Sequence, residues 1–586
     1  MQTQITNLIS TAIANLQTSG NISEDLSADV HVTRSKDKTH GDFACNVALQ
    51  LAKQAKMPPR ELAEMLLANI PEDPIVAKIE IAGPGFLNFY IQENLHGEIL
   101  NTILKQQDEF GLSNTYASKK VQIEFVSANP TGPLHVGHGR GAAYGATIGN
   151  LLAAVGYEVQ REYYVNDAGR QIDILTASVW LRYLELCDET FTFPTNAYQG
   201  DYVWDIAATL HREYGDQYLH ATQDWMSDLP ADKPQGGDKE IYIDAIITKA
   251  KTLLDEGGYG IFTKFALDTI TNDIKEDLAL FGVHYDNWFS EKSLVTNNNI
   301  QTALATLEEN GHSYVKDDAI WFRSTNFGDE KDRVLVRANG THTYFASDIA
   351  YHLDKYQRGF DRLINIWGAD HHGYITRIKA AVEALGKDPT CLQIPLVQFA
   401  NLYKGGEKLA MSTRSGEFVT LRELRKQVGK DAARFFYVMR KHEQHLDFDL
   451  DLATSQSKDN PVYYVQYAHA RICSIFTQAG VGMQDQTIID ADTEQLSNEY
   501  EKNILKILSQ FSENISSAAE KLSPHILVNY LRDIANAFHS FYNEKENQVL
   551  VDDIALRNAR LKLIYATKIV IHNGLTLLDV SAPEKM

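Results

Sequence analysis

The chain carries a clear change of hydrophobic spacing between residues 121 and 152. Apolar and polar residues alternate over 121–126, which predicts a strand. The next signal is the turn sequence Asn-Pro-Thr-Gly-Pro at 129–133. Apolar residues then recur at helical spacing from about His138 onward. The pattern therefore predicts a strand, a turn and a helix in direct succession.

Similar alternation between strands and helices continues downstream. A second strand is predicted over 159–165, so the two strands and the helix between them form a βαβ unit. Further strand-like runs occur at 319–323, 333–337 and 363–367, and the stretch 340–352 reads as a turn and a strand that pass into a helix. These patterns predict a Rossmann-like, doubly wound parallel sheet, whose ligands bind beyond the carboxyl ends of the strands.

The flanking patterns differ from this α/β body and predict a multidomain chain. Residues 1–105 combine helical spacing with a strand, a Gly-Pro-Gly turn and a strand at 79–91, which predicts an α+β module. Residues 106–455 form the predicted catalytic domain, with an insertion at about 186–250. Helical spacing continues over 456–586 and predicts an all-α bundle.

Composition is compatible with an ordinary multidomain globular protein. The chain has 586 residues and is therefore too long for one core. It has 44% hydrophobic and 23% charged residues, as is usual for a globular protein. Its four cysteines form no CxxC pair, so we expect no structural metal and no disulfide framework. The first residues lack a signal peptide pattern, and no apolar run has membrane-spanning length. We therefore expect a cytoplasmic protein without a membrane partner, and a monomer.

The net charge of −22 changes this picture only slightly. Phosphate contacts require lysine and arginine, so a strongly acidic chain argues weakly against a nucleic-acid partner. Local basic patches can outweigh a global sum, and the decision therefore rests on motifs.

The start of the helix after the first strand carries the strongest chemical signal. His135 and His138 lie there with Gly137 between them. A helix N-terminus presents unbonded N–H groups and a positive dipole, both of which suit a phosphate. Glycine allows a ligand to approach the backbone closely. These residues predict a nucleotide site, and a pair of helix-start histidines without a ligand is the alternative.

The motif His-Val-Gly-His resembles the first signature of class I aminoacyl-tRNA synthetases, and the longer string over 124–140 resembles bacterial arginyl-tRNA synthetases. The strings at 40–46 and 79–91 are similar to the N-terminal domain of that family, and Tyr-Gln-Gly-Asp-Tyr at 198–202 to its insertion. The resemblance implies a ligase for L-arginine and tRNA(Arg) that uses ATP with Mg²⁺ as counter-ion. It also implies that tRNA must bind before arginine is activated.

The resemblance further implies roles for individual residues. The ATP-binding residues would be Pro133, His135, Gly137, His138, Gly368, Asp370, His371, Met411 and Ser412. The arginine-binding residues would be Glu124, Ser127, Asn129, Tyr344 and Asp348. The tRNA-binding residues of the helical domain would be Tyr463, Tyr467 and Arg471, and the catalytic residues His135, His138 and Arg414. Asn166, Asp167 and Arg170 are candidates for a supporting role because of their place at the end of the second strand, not because of the resemblance, and plain helix caps are the alternative.

The second class I signature, Lys-Met-Ser-Lys-Arg, is incomplete in this chain. Ala410 and Thr413 replace its two lysines. Some arginine-family members carry a compensating lysine three positions before the first signature histidine, but Gly132 occupies that position here. Phosphate charge must still be stabilised during transfer. The basic candidates for this task are Arg414 first, then Lys408 and Lys404.

Three alternatives remain open. A metal could use Asp370, His371 and His372, although adjacent histidines point in different directions and no distant ligand is evident. A catalytically silent RNA-binding or regulatory relative is favoured by the missing lysines and opposed by intact Glu124 and Asp348. A synthetase for another amino acid is disfavoured, because an apolar substrate would not need these two acids.

Overall fold

The computed structural model describes residues 1–35, 40–92, 95–409 and 419–586. The N-terminal part folds around a four-stranded antiparallel sheet in the order β1-β2-β4-β3, with three helices and its own hydrophobic core. Its elements are α1 (Gln2–Thr18), β1 (Val32–Arg34), β2 (Phe43–Cys45), α2 (Val47–Ala55), α3 (Pro59–Asn69), β3 (Val76–Ala82) and β4 (Phe86–Ile91). The predicted strand–Gly-Pro-Gly–strand unit is the hairpin of β3 and β4.

The first part of the catalytic region places a βαβ unit at the centre of the molecule. Its elements are α4 (Leu95–Gln106), β5 (Lys120–Glu124), α5 (Val136–Ala154), β6 (Glu158–Val165) and α6 (Arg170–Leu186). Four helices follow, α7 (Asp201–Tyr214), α8 (Thr222–Met226), α9 (Lys239–Leu253) and α10 (Asp255–Leu280). They stand between α6 and the next strand of the sheet, β7 (Asn287–Ser290).

The second part of the catalytic region returns the chain to the other side of β5. Its elements are α11 (Lys292–Thr296), α12 (Asn299–Glu309), β8 (Ser313–Lys316), β9 (Ala319–Phe322), β10 (Arg333–Val336), α13 (Tyr344–Gln357), β11 (Arg362–Asn365), β12 (Trp367–Gly368), α14 (Ile375–Ala384), β13 (Leu392–Gln393), β14 (Leu396–Val397), β15 (Ala400–Lys404), β16 (Glu407–Lys408), α15 (Leu421–Val428), α16 (Lys430–Val438), β17 (Leu446–Asp449) and α17 (Leu450–Thr454). The remaining described chain is helical, with α18 (Pro461–Ala479), α19 (Gln486–Ile489), α20 (Glu499–Leu508), α21 (Phe511–Glu520), α22 (His525–Asn543) and α23 (Ile554–Leu577).

The main sheet is parallel throughout and has the order β13-β11-β5-β6-β7. The chain builds outward from β5 through β6 to β7, and then crosses back to place β11 on the other side of β5. The strand order therefore reverses between β5 and β11. In sheets of this kind the ligand cleft lies at the carboxyl edge of the reversal point.

The catalytic region and the C-terminal helices share one continuous core. Helix α5 packs between them, and the hydroxyl of its Tyr144 donates to the carbonyl of Leu522 at 2.8 Å. Leu100 and Ile103 of α4 belong to the same core and not to that of the N-terminal sheet. The helix bearing the signature histidines is therefore anchored on both the sheet and the helical region.

Three local predictions differ from the structure. The strand predicted over 121–126 ends at Glu124, because the next residues leave the extended conformation. The stretch 340–352 contains no strand and enters helix α13 directly. The runs near 319–323 and 333–337 are the strands β9 and β10. Strand β9 pairs with both β8 and β10 in a separate antiparallel sheet, which does not join the parallel one.

The packing of α5 on β5 yields a stability prediction. A Cβ atom at Gly145 would lie 2.3 Å from Cγ of buried Phe125, whereas one at Gly141 would have no atom within 4 Å. We expect Gly145→Ala to lower the free energy of unfolding by about 1–3 kcal/mol through overpacking. Gly141→Ala is the matched control and should raise it by up to about 1 kcal/mol through helix propensity. Thermal unfolding of both variants checks this, and an equal melting temperature would contradict it.

Candidate active site

The chain leaves β5 through a tight turn, and residues 125–135 are called the signature turn below. Val126 and Ser127 have φ angles of 68° and 41°, a left-handed conformation that costs energy in a β-branched residue. The hydroxyl of Ser127 donates to Oε1 of Glu124 at 3.0 Å and accepts the N–H of Tyr164 at 3.1 Å. These bonds hold the turn against the edge of the sheet, where the parallel strands end.

His135 and His138 begin helix α5 as a reciprocal capping pair. The Nδ1 atom of His135 accepts the N–H of Gly137 at 3.0 Å, and that of His138 accepts the N–H of His135 at 3.3 Å. A neutral imidazole whose Nδ1 accepts a hydrogen bond carries its proton on Nε2. The helix thus starts about two residues earlier than predicted, and both histidines have the tautomer that donates from Nε2.

The two imidazoles are held neutral by their surroundings. Their ring centroids lie 3.8 Å apart. Burial lowers the pKa of His135, and burial with the nearby His135 ring lowers the pKa of His138 to about 3. Around pH 7 both rings therefore act as hydrogen-bond donors to an anion rather than as cations.

A flat ring lies beside the glycines of the predicted nucleotide site. A Cβ atom built on Gly137 would lie 3.5 Å from the ring of Phe399, and one built on Gly368 would lie 3.8 Å from it. This ring remains 47% exposed, which is unusual for phenylalanine. An exposed aromatic face suits a planar heterocycle such as a nucleobase.

The chain that follows residues 410–418 approaches the first signature. The N–H of Val136 donates to the carbonyl of Val419 at 3.0 Å, and the N–H of Leu421 donates to that of Leu134 at 2.9 Å. Before residue 410, the strands β15 and β16 form an antiparallel hairpin. Lys404 and Lys408 lie on this hairpin, and both are exposed. The predicted residues Met411, Ser412 and Arg414 lie outside the described residues.

A group of acids converges at the carboxyl ends of β6 and β7 and the start of α13. Asp348 is half-buried and accepts the hydroxyl of Tyr374. Glu291 directly follows β7 and is only 9% exposed. With its amide oriented to satisfy both ends, Asn166 donates to Oε2 of Glu291 at 2.7 Å. Asp167 accepts the hydroxyl of Ser290 at 2.5 Å and so joins the ends of β6 and β7.

The pKa values of Asp348 and Glu291 are both raised, first of all by burial. Burial, reinforced by the charge of Glu124, raises the pKa of Asp348 to about 7. Burial and the charges of Asp348 and Asp167 raise the pKa of Glu291 to about 7 as well. Carboxyls that crowd one cleft gain stability from a cation between them, and a planar guanidinium suits several carboxylate oxygens at once.

Glu124 occupies a different position from Asp348 and Glu291. Its Oε2 pairs with Nζ of Lys355 at 2.5 Å, and its Oε1 accepts the Ser127 hydroxyl. The contact with arginine predicted for Glu124 stays a prediction, and in this structure both of its oxygens already have partners within the protein.

The other predicted arginine-site residues lie around the mouth of the cleft. Asn129 is exposed and donates to Gln171 Oε1 at 2.6 Å. Tyr344 is 63% exposed, with its hydroxyl beside Gly169. Arg170 points away from this group and binds Glu240 and Asp244 of α9. Asn129 and Tyr344 therefore lie near the acids of the cleft, whereas Arg170 does not. The partners of Arg170 make it a structural link to the inserted helices.

The turn after β12 is exposed, and the structure gives no support for a metal there. Nε2 of His371 is 3.7 Å from Oδ2 of Asp370, and both side chains are more than half exposed. In the described parts of the chain, one group has three candidate metal-ligand atoms within 4.8 Å of one another, namely Cys187, His211 and Asp216, far along the chain from this turn.

The predicted tRNA-binding residues form one row on helix α18. The rings of Tyr463 and Tyr467 are stacked at 6.0 Å between centroids. The guanidinium of Arg471 lies 5.1 Å from the centre of Tyr467 and 5.2 Å from that of Tyr542 on α22. Half-buried aromatic faces beside a guanidinium can stack on bases and contact phosphates.

Sequence reasoning missed Glu291, Lys355 and Phe399. Asp167 was identified because it follows a strand that the sequence predicts. Glu291 follows a strand of only four residues without clear alternation, so the sequence does not predict that strand and does not point to Glu291. Lys355 lies in an amphipathic helix, where a lysine usually faces solvent. Phe399 reads as an ordinary core residue next to β15, and only the structure reveals its exposure.

Family models match three successive parts of the chain. They are described as "Arginyl tRNA synthetase N terminal domain" over residues 3–91, "tRNA synthetases class I (R), catalytic domain" over 99–190 and 261–449, and "DALR anticodon binding domain" over 465–586. The chain is 58% identical to an arginine–tRNA ligase of Thioalkalivibrio sulfidiphilus over 588 residues, covering 100% of both chains. The chain belongs to the arginyl-tRNA synthetase family.

Further relatives agree with this assignment. An arginine–tRNA ligase of Legionella pneumophila (strain Paris) is 55% identical, with 100% of both chains covered. A crystal structure of a putative arginyl-tRNA synthetase from Campylobacter jejuni is 34% identical, with a TM-score of 0.74 over 85% of this chain and 100% of that one. The Thermus thermophilus arginyl-tRNA synthetase, 23% identical with the same TM-score and 100% of both chains covered, is similar in fold.

Membership in the arginyl-tRNA synthetase family confirms several predictions made from the sequence. The class I fold with an N-terminal module and a C-terminal helical domain is confirmed, as is the arginine–tRNA ligase function. The alternative of a catalytically silent relative is not favoured. Within the described residues, no helix is both long and apolar enough to cross a membrane.

Proposed function

We propose that this synthetase activates L-arginine with ATP and transfers it to tRNA(Arg) in the cleft at the carboxyl edge of the main sheet. The carboxylate of arginine attacks the α-phosphate, the bond to the β-phosphate breaks, and pyrophosphate leaves. A hydroxyl of the terminal adenosine of tRNA then attacks the activated carbonyl, and AMP leaves. Positioning and electrostatic stabilisation account for most catalysis in phosphoryl chemistry of this kind.

The arginine guanidinium is proposed to bind among the acids of the cleft. Asp348 and Glu291 supply the carboxylates, and exposed Tyr344 lies at the mouth. Ser127 and Asn129 of the signature turn are proposed for the amino-acid end of the substrate. The main support is the convergence of two acids, one buried and one half-buried, whose pKa values stay raised although the charges of Arg377 and Lys355 act to lower that of Asp348.

ATP is proposed to lie across the start of α5. The Nε2–H groups of His135 and His138 would donate to its phosphates, with the α5 N-terminus behind them. Its base would lie beside Gly137, Gly368 and the ring of Phe399, with Pro133, Asp370 and His371 around it. Mg²⁺ would come as the counter-ion of the phosphates, so that the proposal requires no protein ligand for it.

The second signature is proposed to supply positive charge despite its missing lysines. Arg414 is the first candidate, and Met411 and Ser412 would contact ATP beside it. Lys404 and Lys408 are the alternatives, and their exposure on the neighbouring hairpin supports access to the phosphates. The hydrogen bonds of Val419 and Leu421 to the first signature support the same location.

The remaining parts of the proposal concern tRNA and the state of the chain. Tyr463, Tyr467 and Arg471 would contact the anticodon region, and residues 1–105 the outer corner of the tRNA. We further propose domain boundaries at 105 and 455, with an insertion at about 186–250. The chain would act as a cytoplasmic monomer.

Pyrophosphate exchange tests the proposed reaction directly. With arginine, ATP and labelled pyrophosphate, we expect exchange only when tRNA(Arg) is present. His138→Ala should lower the rate by about 10²–10³-fold, because one donor to the reacting phosphates is lost. Absence of exchange with tRNA would contradict the reaction, and exchange with lysine or glutamine in place of arginine would contradict the specificity.

The pKa values of the cleft predict how arginine binding depends on pH. Asp348 and Glu291 both have pKa values of about 7 in the free protein, so they bind protons as the pH falls below 7. A guanidinium prefers ionised carboxylates and must displace those protons. We therefore expect the KM for arginine to rise between pH 8 and pH 6, by about tenfold for each carboxyl that must lose its proton and so by up to about a hundredfold for both, at constant KM for ATP.

Two variants serve as controls for this pH dependence. Asp348→Asn and Glu291→Gln each remove one titrating group, so each should raise the KM for arginine and flatten its change with pH. A KM for arginine that stays constant from pH 6 to pH 8 in the unchanged protein would show that these carboxyls do not titrate against the substrate.

A further inference from the structure

The ends of helices α6 and α7 bring three potential metal ligands together. Cys187 directly follows α6, His211 lies in the last turn of α7, and Asp216 lies in the turn after α7. One ligand atom from each side chain lies within 4.8 Å of the other two, and these three residues are called the Cys-His-Asp cluster below. The packing of two helices forms the cluster, so no short motif with metal-site spacing predicts it from the sequence.

The turn that carries Asp216 is held against both helices by the protein's own contacts. Gly215 has a positive φ of 56°, and its N–H donates to the carbonyl of His211 at 2.8 Å. Its carbonyl accepts the hydroxyl of Tyr183 from the last turn of α6. The rings of Tyr183 and His211 meet edge to face, with 5.5 Å between their centroids. The three side chains of the cluster are therefore positioned before any ion binds.

The His211 nitrogen that faces Asp216 has the geometry of a metal ligand. Its Nε2 is 3.6 Å from Oδ1 of Asp216, which is too long for a hydrogen bond. This nitrogen is buried, and it has no hydrogen-bond partner among the described residues. On a tetrahedral zinc ion with its usual bond lengths, nitrogen and oxygen ligands are about 3.4 Å apart. A cation between the two side chains therefore fits with little movement.

The charges around the cluster favour a cation. Burial, reinforced by the charges of Asp216, Asp188 and Glu189, raises the pKa of the Cys187 thiol to about 11. The thiol therefore keeps its proton at neutral pH unless a cation replaces it. The side chain of Asp216 is 75% exposed, which gives an ion a path from solvent to the buried nitrogen of His211.

We propose that the Cys-His-Asp cluster binds a divalent transition-metal ion such as Zn²⁺, which joins the end of α6 to the end of α7. Thiolate, imidazole and carboxylate are together the ligands of zinc, whereas Mg²⁺ and Ca²⁺ prefer oxygen ligands alone. When the metal–sulfur bond forms, the S–H bond of Cys187 breaks and its proton passes to solvent. The metal keeps its oxidation state, and water completes the coordination.

The course of α7 gives this site a structural role. Near the start of the helix, the hydroxyl of Tyr202 donates to the carbonyl of Thr131 in the signature turn at 2.7 Å. His211 lies more than two turns later on the same helix. The ion thus fixes the far end of a helix whose near end contacts the signature turn, and it takes no part in the reaction itself.

The test uses Co²⁺ as the probe, because Co²⁺ occupies zinc sites and absorbs light when a thiolate binds it. We expect the full-length protein, first stripped with a chelator, to bind one equivalent of Co²⁺ with a thiolate-to-cobalt charge-transfer band. Zn²⁺ should displace the Co²⁺ and abolish the band. A protein that gives no such band at one equivalent of Co²⁺ would overturn the proposal.

Cys187→Ser and Cys391→Ser form a matched pair of variants. Both cysteines are half-buried, and Sγ of Cys391 is 3.7 Å from Oδ2 of Asp388, so it too is a thiol beside a carboxylate. Within the described chain, however, Cys391 belongs to no group of three candidate ligands. We expect Cys187→Ser to abolish the charge-transfer band and Cys391→Ser to leave it unchanged. The opposite pattern, or a band kept by both variants, would overturn the proposal.

Asp216→Asn decides the matter if Cys187→Ser does not fold, because the exposed side chain of Asp216 tolerates replacement. An amide is a poor ligand for zinc, so this variant should bind Co²⁺ at least about tenfold more weakly than the unchanged protein. Equal affinity would show that the ion binds elsewhere and would overturn the proposal.

A final control separates the Cys-His-Asp cluster from the acids of the cleft, which could also attract a divalent ion. Saturating arginine should leave the cobalt band unchanged, because the two sites have no residue in common. Loss of the band on addition of arginine would locate the ion at Asp348 and Glu291 and overturn the proposal. The measurement needs no catalysis, so its outcome is independent of the proposed function.

Discussion

The chain leaves strand β5 through two successive residues with positive φ, Val126 and Ser127, and the geometry of both proposed substrate sites depends on this turn. The chain must turn from the end of β5 at Glu124 toward the start of α5 at Val136. The left-handed turn allows this, and hydrogen bonds of Ser127 to Glu124 and Tyr164 stabilise it. Backbone strain of this kind persists only where surrounding structure over-determines it. Here that structure is the pairing of Glu124 with Lys355.

The charges of the site follow from burial rather than from composition. The net charge of −22 does not determine the charge of the cleft, which depends on the positions of individual acids. Glu124 and Glu162 have cations from α13, while Asp348 and Glu291 share a cleft in which burial and neighbouring charges raise their pKa values. The free cleft therefore favours a cation. The signature histidines, in contrast, are neutral donors, which leaves the positive charge for phosphate transfer to other side chains.

Much of the fold was predictable because its signals are local. Alternation before the Pro- and Gly-containing turn and helical spacing after it identify β5 and α5, and the histidines follow from their place at the helix start. Glu291 could not be predicted in this way, since β7 is too short to show a period and the acid meets Asp348 only through the crossing of the chain. The strand predicted within 340–352 is wrong. Thr343 instead caps α13 by accepting the N–H of Ala346.

Lys355 illustrates a further limit of sequence reasoning. A lysine in an amphipathic helix is normally assigned to the solvent face, and its burial here depends on two acceptors from other elements, Glu124 and Asn365. Those acceptors are register partners on β5 and β11, so the ammonium lies across the point where the strand order reverses. Three-dimensional neighbours, rather than the residue type, determine its role.

The most direct test of this account is a crystal structure with a non-reactive analogue of arginyl-adenylate bound. The account predicts that the guanidinium lies between Asp348 and Glu291 and the base beside Phe399, while Lys355 keeps its contact with Glu124. A guanidinium that contacts neither Asp348 nor Glu291 would contradict the account.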